Sequence, residues 1–233
     1  MPCDLRIKIG TLKISEDSKG YRLGEGAIGL ALWQWQRSDL DQIYVTVYSK
    51  HESLINILES FGFISGGNKG EEKVYYKDKK KISYETPKKS FPYINPSFTR
   101  GKYLPINDDY HDQMFQYSEL GRTFQQDAVM AASNGFTKIY VATPNSTLSY
   151  ISGDIVFVYR KHPGECGRTY KSVVTSYCTL IDCTSIKVNG KEIMSLGEFI
   201  KDVGNKTVLD EDELSKYYQR RNVYTLTLLY NGF

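Results

Sequence analysis

The sequence predicts an α+β protein of two parts, and three observations support this prediction. In the first part, strand-like and helix-like stretches alternate, and a glycine pair precedes the first apolar helix. In the second part, strands outnumber helices and differ in length. Between them, residues 83–100 are polar and rich in proline, which disfavours regular structure. We therefore expect an α/β unit at 1–82, a linker at 83–100 and a strand-rich unit at 101–233.

The first predicted strand and helix enclose a glycine turn. Apolar residues between 5 and 14 indicate a strand that is interrupted near Gly10. Residues 27–35 leave little polar surface, as in a helix that is covered on most sides. Gly24 and Gly26 stand directly before that run. They fit an ordinary turn, and they also fit a backbone that approaches an anion closely at a helix N-terminus.

Three further elements continue the alternation. Residues 42–48, QIYVTVY, are β-branched and aromatic, which is typical of a strand. Residues 51–63 place apolar side chains at helical spacing and predict a helix that stops at Gly62. Residues 73–77, KVYYK, predict one more strand.

This order of strand, glycine turn, helix, strand, helix ending in Gly-Phe and strand resembles the cofactor-binding half of the GNAT acetyltransferases. The family motif, Gln/Arg-x-x-Gly-x-Gly/Ala, falls on residues 21–26, YRLGEG. The resemblance implies a truncated GNAT-like unit that binds acetyl-CoA. It places the pyrophosphate against the backbone of Leu23, Gly24, Glu25, Gly26 and Ala27, and the pantetheine arm beside Leu12, Lys13 and Ile14.

The chain departs from the GNAT pattern where catalysis is concerned. Leu58 stands where many members carry the tyrosine that protonates the leaving thiolate. Tyr48 and His51 are the candidates that remain for proton transfer, with water as the alternative. The family's preceding strands are also missing from this sequence. Either the unit is half a GNAT domain, or a partner subunit or a second copy of the chain completes the sheet at its open edge.

The second part predicts a small, partly open β-barrel with peripheral helices. Asp210 is a suitable N-cap for the last of these helices. The expected strands are 137–143, 154–160, 172–183 and 223–230, and the expected helices are 198–203 and 210–221.

Gly153 and Asp154, followed by an apolar strand, a polar turn and a longer apolar strand, resemble the PUA-like superfamily with its EVE, YTH and ASCH branches. The resemblance implies a barrel whose cleft binds RNA or a modified DNA base, with Phe157, Tyr159 and Arg160 at or near it. Such a cleft stacks a base on aromatic side chains and reads its edge with a few polar groups. Packing inside the barrel is the alternative for the same aromatic side chains.

The composition favours a surface on which bases stack over a surface that binds phosphates. The chain carries 19 tyrosines and a net charge of +3, and residues 91–233 hold equal numbers of acidic and basic residues. The basic run Lys77–Lys81 falls near the predicted linker, where it is either a solvated connector or a nucleic-acid contact. His111 beside Asp112 is either a general base or a partner in a structural hydrogen bond.

The four cysteines lack the close spacing of a zinc site, so we expect free thiols and no metal; a Cys178–Cys183 disulfide is the alternative. No signal peptide or membrane-spanning stretch is present, which favours a cytoplasmic protein. Two functions remain open. One is an acetyl-CoA-dependent N-acetyltransferase that acts on or near nucleic acid, and the other is an inactive reader of RNA or modified DNA bases.

Overall fold

A computed structural model of the chain describes residues 6–10, 12, 20–118, 131–162, 164 and 171–233. The chain divides into two compact units, Met1–Pro96 and Ser97–Phe233. Each unit combines helices with one mixed β-sheet, so the predicted α+β class is confirmed. Among the described helices, none has both the length and the apolar character needed to cross a bilayer.

The first unit is a four-stranded sheet with its helices in the connections. Its strands lie in the order β1-β2-β4-β3; β1 is parallel to β2, and β4 is antiparallel to both of its neighbours. The elements in chain order are β1 (Arg6–Ile9), α1 (Leu23–Arg37), β2 (Gln42–Tyr48), α2 (Glu52–Ser60), β3 (Ile64–Lys69), β4 (Glu72–Asp78) and α3 (Pro87–Ser90).

The predicted strand 42–48 is confirmed at both ends, and the predicted helix 51–63 is confirmed as the shorter α2. Gly62 follows α2 with φ 78°, the left-handed conformation that ends many helices at a glycine. A Cβ on Gly62 would stand 2.4 Å from the carbonyl oxygen of Lys89, so the tight approach of this later segment also requires glycine. The Gly-Phe sequence therefore both ends α2 and lets the chain pack against it.

Helix α1 begins earlier than the sequence predicted. It starts at Leu23, so that Gly24 and Gly26 lie in its first turn instead of in a preceding loop. The residue that turns the chain into the helix is Arg22, which has φ 55°. Arg22 takes the left-handed conformation that is more usual for a glycine. Gly24 and Gly26 therefore do not form the turn, and both are buried in the helix.

Part of the predicted linker 83–100 packs into the first unit. Phe91 is fully buried, and its ring centroid lies 5.4 Å from that of Phe61. Lys77 of β4, only 3 % exposed, donates from Nζ to the backbone oxygens of Phe61, Lys89 and Phe91. Residues 87–92 therefore belong to the core of the first unit, and the boundary between units falls after Pro96.

The second unit is a six-stranded sheet with helices around it. The main path runs β5-β7-β8-β10-β6, with β9 paired to β8; only β5 and β7 form a parallel pair among the described strands. The elements are β5 (Gly101–Asn107), α4 (Asp108–Met114), α5 (Ala131–Asn134), β6 (Thr137–Ala142), β7 (Ile155–Lys161), β8 (Val173–Val188), β9 (Lys191–Glu192), α6 (Leu196–Val203), α7 (Glu211–Tyr218) and β10 (Val223–Gly232).

This sheet is not closed into the predicted β-barrel. Its path ends at β5 on one side and at β6 on the other, and the described residues show no pairing between these two strands. Both edge strands nevertheless line one pocket, together with α4 and residues 207–209. The sheet therefore curves towards itself, and helix and loop side chains stand where a barrel would close by hydrogen bonds.

Local signals in the second unit behave as predicted. Asp210 caps α7, accepting a hydrogen bond of 2.7 Å from the Glu213 amide, while the Glu213 carboxylate accepts one from the Asp210 amide. Gly153, with φ 91°, forms the predicted turn before β7, and the carboxylate of Asp154 accepts from the amide of Ile151 at 3.0 Å. Cys178 and Cys183 are free thiols, so the alternative disulfide between them is absent.

Candidate functional site

The structure separates the three residues expected at the nucleic-acid-binding cleft. Phe157 and Tyr159 lie two residues apart on β7 and are both half-buried on the same face of the sheet. Arg160 lies on the opposite face, where its guanidinium forms two hydrogen bonds of 2.9 and 2.8 Å with the carboxylate of Asp112. The two aromatic residues are brought together, whereas Arg160 is committed to an internal ion pair.

His111 belongs to the network around that ion pair. Its ring is fully buried, Nδ1 lies 2.7 Å from Asp112 and Nε2 lies 2.6 Å from the hydroxyl of Thr175 on β8. Burial lowers the pKa of His111 below its usual value, although Asp112 opposes this effect. A neutral ring donates from Nδ1 to Asp112 and accepts from Thr175 at Nε2. Both nitrogens are occupied, which fits the structural alternative for His111.

The second unit contains a pocket of about 170 Å³ between its two edge strands. That volume corresponds to roughly six water molecules, so it suits a single planar ring better than a whole nucleotide. Three tyrosines, from α4, β6 and α7, contribute their rings. We call it the tyrosine pocket; it is lined by Pro105, Ile106, Asn107, Tyr110, Met114, Tyr140, Val141, Thr143, Lys161, Thr207, Val208, Leu209 and Tyr217.

Two of the tyrosine hydroxyls in this pocket, those of Tyr110 and Tyr140, stay protonated across the physiological pH range. A hydrogen bond to Glu213, at 3.0 Å, raises the pKa of Tyr110 to about 12, and burial assists it. Burial raises the pKa of Tyr140 to about 12 as well. Both rings therefore remain neutral stacking surfaces, and any recognition that they provide is independent of pH between about 6 and 9.

Two polar side chains line the same pocket. Asn107 occupies the N-cap position of α4, yet its carboxamide makes no capping hydrogen bond in the structure as described. A carboxamide carries two donors and one acceptor, which is the combination that reads the edge of a base. Lys161, at the end of β7, is exposed and adds a cation to the lining.

Sequence reasoning missed the tyrosine pocket because its lining comes from separate segments of the chain. Asn107, Tyr110, Tyr140 and Tyr217 come from four different elements, and no motif or spacing joins them. The abundance of tyrosine was the one available signal. It indicated aromatic-lined surface without indicating where that surface lies.

The predicted pyrophosphate site of the first unit is the N-terminus of α1. The Gly26 amide donates to the Arg22 carbonyl at 3.1 Å, so the first-turn amides of Leu23, Gly24 and Glu25 lie before the intrahelical hydrogen bonds begin. Ala27 lies further inside the helix. Of the predicted pantetheine strand, Leu12 lies beyond the end of β1, and Lys13 and Ile14 lie outside the described residues.

A buried cation stands beside these amides. The Arg22 side chain is 10 % exposed and pairs through Nη2 with Glu25, while its Nη1 is buried with no hydrogen-bond partner in the described residues. Lys88 lies 3.7 Å from the same Glu25 carboxylate, which is thereby neutralised from two sides. The first-turn amides of α1 and this guanidinium nitrogen together form an environment suited to an anion.

Tyr48 and His51, the candidates for proton transfer, lie close together. Their ring centroids are 6.5 Å apart, and both side chains are exposed. Since β1 and β2 are parallel and α1 runs back to the start of β2, the N-terminus of α1 lies at the same edge of the sheet as Tyr48. Open α/β sheets bind ligands at this carboxyl edge.

Comparison of the chain with protein-family models, with curated proteins and with solved structures finds no match in any of the three.

Proposed function

We propose that the protein is a nucleic-acid reader whose second unit, a PUA-like domain, takes a single unpaired base into the tyrosine pocket. The observation that supports this most directly is the pocket itself. It combines three tyrosine rings with the carboxamide of Asn107, which makes no capping hydrogen bond to α4. Proteins that bind an extruded base stack it between aromatic side chains and read its edge by hydrogen bonds. The small volume favours a base over a larger ligand.

The ligand is RNA or DNA carrying an unpaired or modified base. Lys161 at the pocket supplies one phosphate contact, and the neutral charge of the second half fits a binding mode in which stacking outweighs phosphate contacts. We therefore expect binding that weakens only slightly as the salt concentration rises.

Replacing Asn107 by alanine tests the reading role of the carboxamide. The side chain is exposed and caps nothing, so Asn107→Ala is expected to leave the fold intact. The loss of its hydrogen bonds to the base should weaken binding of the preferred nucleoside about tenfold. NMR or calorimetric titration with the four ribonucleosides and their methylated forms measures this effect.

The matched control is Asn68→Ala, which removes an exposed asparagine of β3 in the first unit and should leave nucleoside binding unchanged. If no nucleoside binds the wild-type chain, or if Asn107→Ala binds the preferred one equally well, the pocket is not a base-binding site.

A second function, binding of acetyl-CoA by a GNAT-like first unit, is supported by Nη1 of Arg22, which is buried with no hydrogen-bond partner among the described residues, beside the first-turn amides of α1. In this proposal Arg22, Leu23, Gly24 and Glu25 hold the pyrophosphate. The cofactor supplies a reactive thioester for transfer of acetyl to an amine. His51 would take the proton of the attacking amine, and Tyr48 would donate a proton to the leaving thiolate. A partner subunit or second copy that adds a strand to β1 belongs to the same proposal.

Arg22→Met is expected to weaken acetyl-CoA binding about tenfold to a hundredfold, because it removes a charge-assisted hydrogen bond to phosphate. Isothermal calorimetry with acetyl-CoA provides the measurement. Arg37→Met, at the other end of α1, is the control and should bind as the wild type does. Equal affinity of the two variants for acetyl-CoA, or no binding of acetyl-CoA by the wild type, would overturn this second function.

A further inference from the structure

Three aromatic side chains form a row across neighbouring strands of the second unit. Tyr103 on β5 is in register with Phe157 on β7, which is in register with Tyr177 on β8. Paired residues on adjacent strands project from the same face of a sheet. The ring of Tyr103 is 69 % exposed, and its centroid lies 5.8 Å from that of Phe157. We call these residues the aromatic row and their side of the sheet the outer face.

Glycines make room for two of these rings. A Cβ on Gly101 would stand 3.3 Å from the Phe157 ring, and a Cβ on Gly232 would stand 2.9 Å from the Tyr177 ring. Because a Cβ projects out of a strand, these distances show that the rings lie over the glycine backbone of the neighbouring strand. The two rings therefore lean along the sheet, and both side chains are half-buried.

The charges on the outer face suit an anionic chain. Along β5 and β7 the outer-face positions are Gly101, Tyr103, Pro105, Asn107, Ile155, Phe157, Tyr159 and Lys161. They include one cation and no carboxylate. On β8, Val174 faces Tyr159 and is 49 % exposed, which extends the apolar surface beside the row.

The aromatic row is continuous with the tyrosine pocket. Pro105 and Asn107 are the next two outer-face positions of β5 after Tyr103, and both line the pocket. The four residue steps from Tyr103 to Asn107 span about 13 Å along β5. An extended nucleic-acid strand can therefore reach from the pocket to the row. A strand whose one base enters the pocket would therefore carry its neighbouring bases over the row.

We propose that the aromatic row is a stacking platform for successive unpaired bases of a single-stranded nucleic acid, next to the base held in the tyrosine pocket. This inference rests on the proposed reading function for its choice of ligand. Bases stack on aromatic side chains irrespective of sequence, because every base has a flat face. The row would thus add affinity, and the pocket would add selectivity.

The test is fluorescence anisotropy of the full chain with labelled single-stranded hexanucleotides, together with the nucleoside titration described above. Tyr103→Ala removes a largely exposed ring and should leave the fold intact. It is expected to weaken hexanucleotide binding about tenfold to a hundredfold, while nucleoside binding stays unchanged. Phe157→Ala and Tyr177→Ala should act in the same direction. Ile193→Ala, an exposed apolar residue of the same unit outside the row, is the control.

The outcomes separate this inference from the base pocket. Hexanucleotide binding that Tyr103→Ala leaves unchanged would overturn the platform, even if nucleosides still bind in the pocket. If nucleosides fail to bind but hexanucleotide binding still depends on Tyr103, the platform stands and the pocket function falls. Equal binding of duplex and single strand, or binding of another protein with no oligonucleotide affinity, would also overturn the platform.

Discussion

Asp112→Ala is expected to lower the free energy of unfolding of the second unit by about 3–5 kcal/mol, because it removes the carboxylate bonded to both Arg160 and His111 and leaves Arg160 with the more distant Asp108, at 3.8 Å. The Arg160 side chain is 18 % exposed and donates both of its hydrogen bonds to this carboxylate. His111 loses the partner of Nδ1 at the same time. Urea denaturation followed by circular dichroism measures the loss.

Asp109→Ala provides the matched control, since Asp109 is an exposed carboxylate on the same helix, α4. It should change the stability by less than about 0.5 kcal/mol. A loss of similar size in both variants would mean that α4 tolerates neither change. A small effect of Asp112→Ala alone would mean that the network contributes little.

The same network gives a pH dependence with a definite sign. Burial lowers the pKa of His111 in the folded state, so the unfolded chain takes up a proton first as the pH falls. Burial alone would raise the pKa of Asp112, but hydrogen bonds from Arg160 and His111 bring it below its usual value. Stability is therefore fully present above about pH 6.5 and is lost as the pH falls, first through His111 and later through Asp112.

Lys77→Met is expected to destabilise the first unit by about 2–4 kcal/mol at pH 7, because three backbone oxygens lose their buried donor. Through these oxygens Lys77 joins Phe61, at the end of α2, to Lys89 in α3 and to Phe91 directly after α3. Both tryptophans of the chain, Trp33 and Trp35, lie in α1, so tryptophan fluorescence reports the unfolding of this unit.

Desolvation lowers the pKa of Lys77 to about 7. Between pH 7 and 10 the unfolded chain keeps a proton that the folded chain releases, so wild-type stability rises with pH. The difference between wild type and Lys77→Met should widen by up to about 1.4 kcal/mol per pH unit over this range. Lys69→Met, on β3 and exposed, supplies the control. A difference that stays constant with pH would show that Lys77 keeps its proton in the fold.

The elements that the sequence predicted correctly are those set by local chemistry. The strand 42–48 follows from its β-branched and aromatic residues, and α7 follows from its cap at Asp210. Strand β3, ISGGNK, was missed because it carries two glycines, lacks alternation and is exposed along its length. It forms through its pairing with β4, which local propensity does not show.

The differences between sequence and structure at the candidate sites have similar causes. The start of α1 was misplaced because Arg22 takes a conformation that propensity assigns to glycine. Arg160 lies on the face opposite Phe157 because successive side chains of a strand project to opposite faces of the sheet. The tyrosine pocket depends on two edge strands that approach each other only in the folded sheet.

Photocrosslinking tests the central claim, that the second unit reads unpaired bases, most directly. Single-stranded oligonucleotides carrying a photoreactive base would be irradiated with the full chain, and the modified peptides identified by mass spectrometry. We predict adducts in peptides that contain Tyr103, Asn107, Tyr140 or Phe157, which line the pocket or belong to the row. Adducts confined to the basic segment Lys77–Lys89 of the first unit, or no adducts at all, would contradict the account.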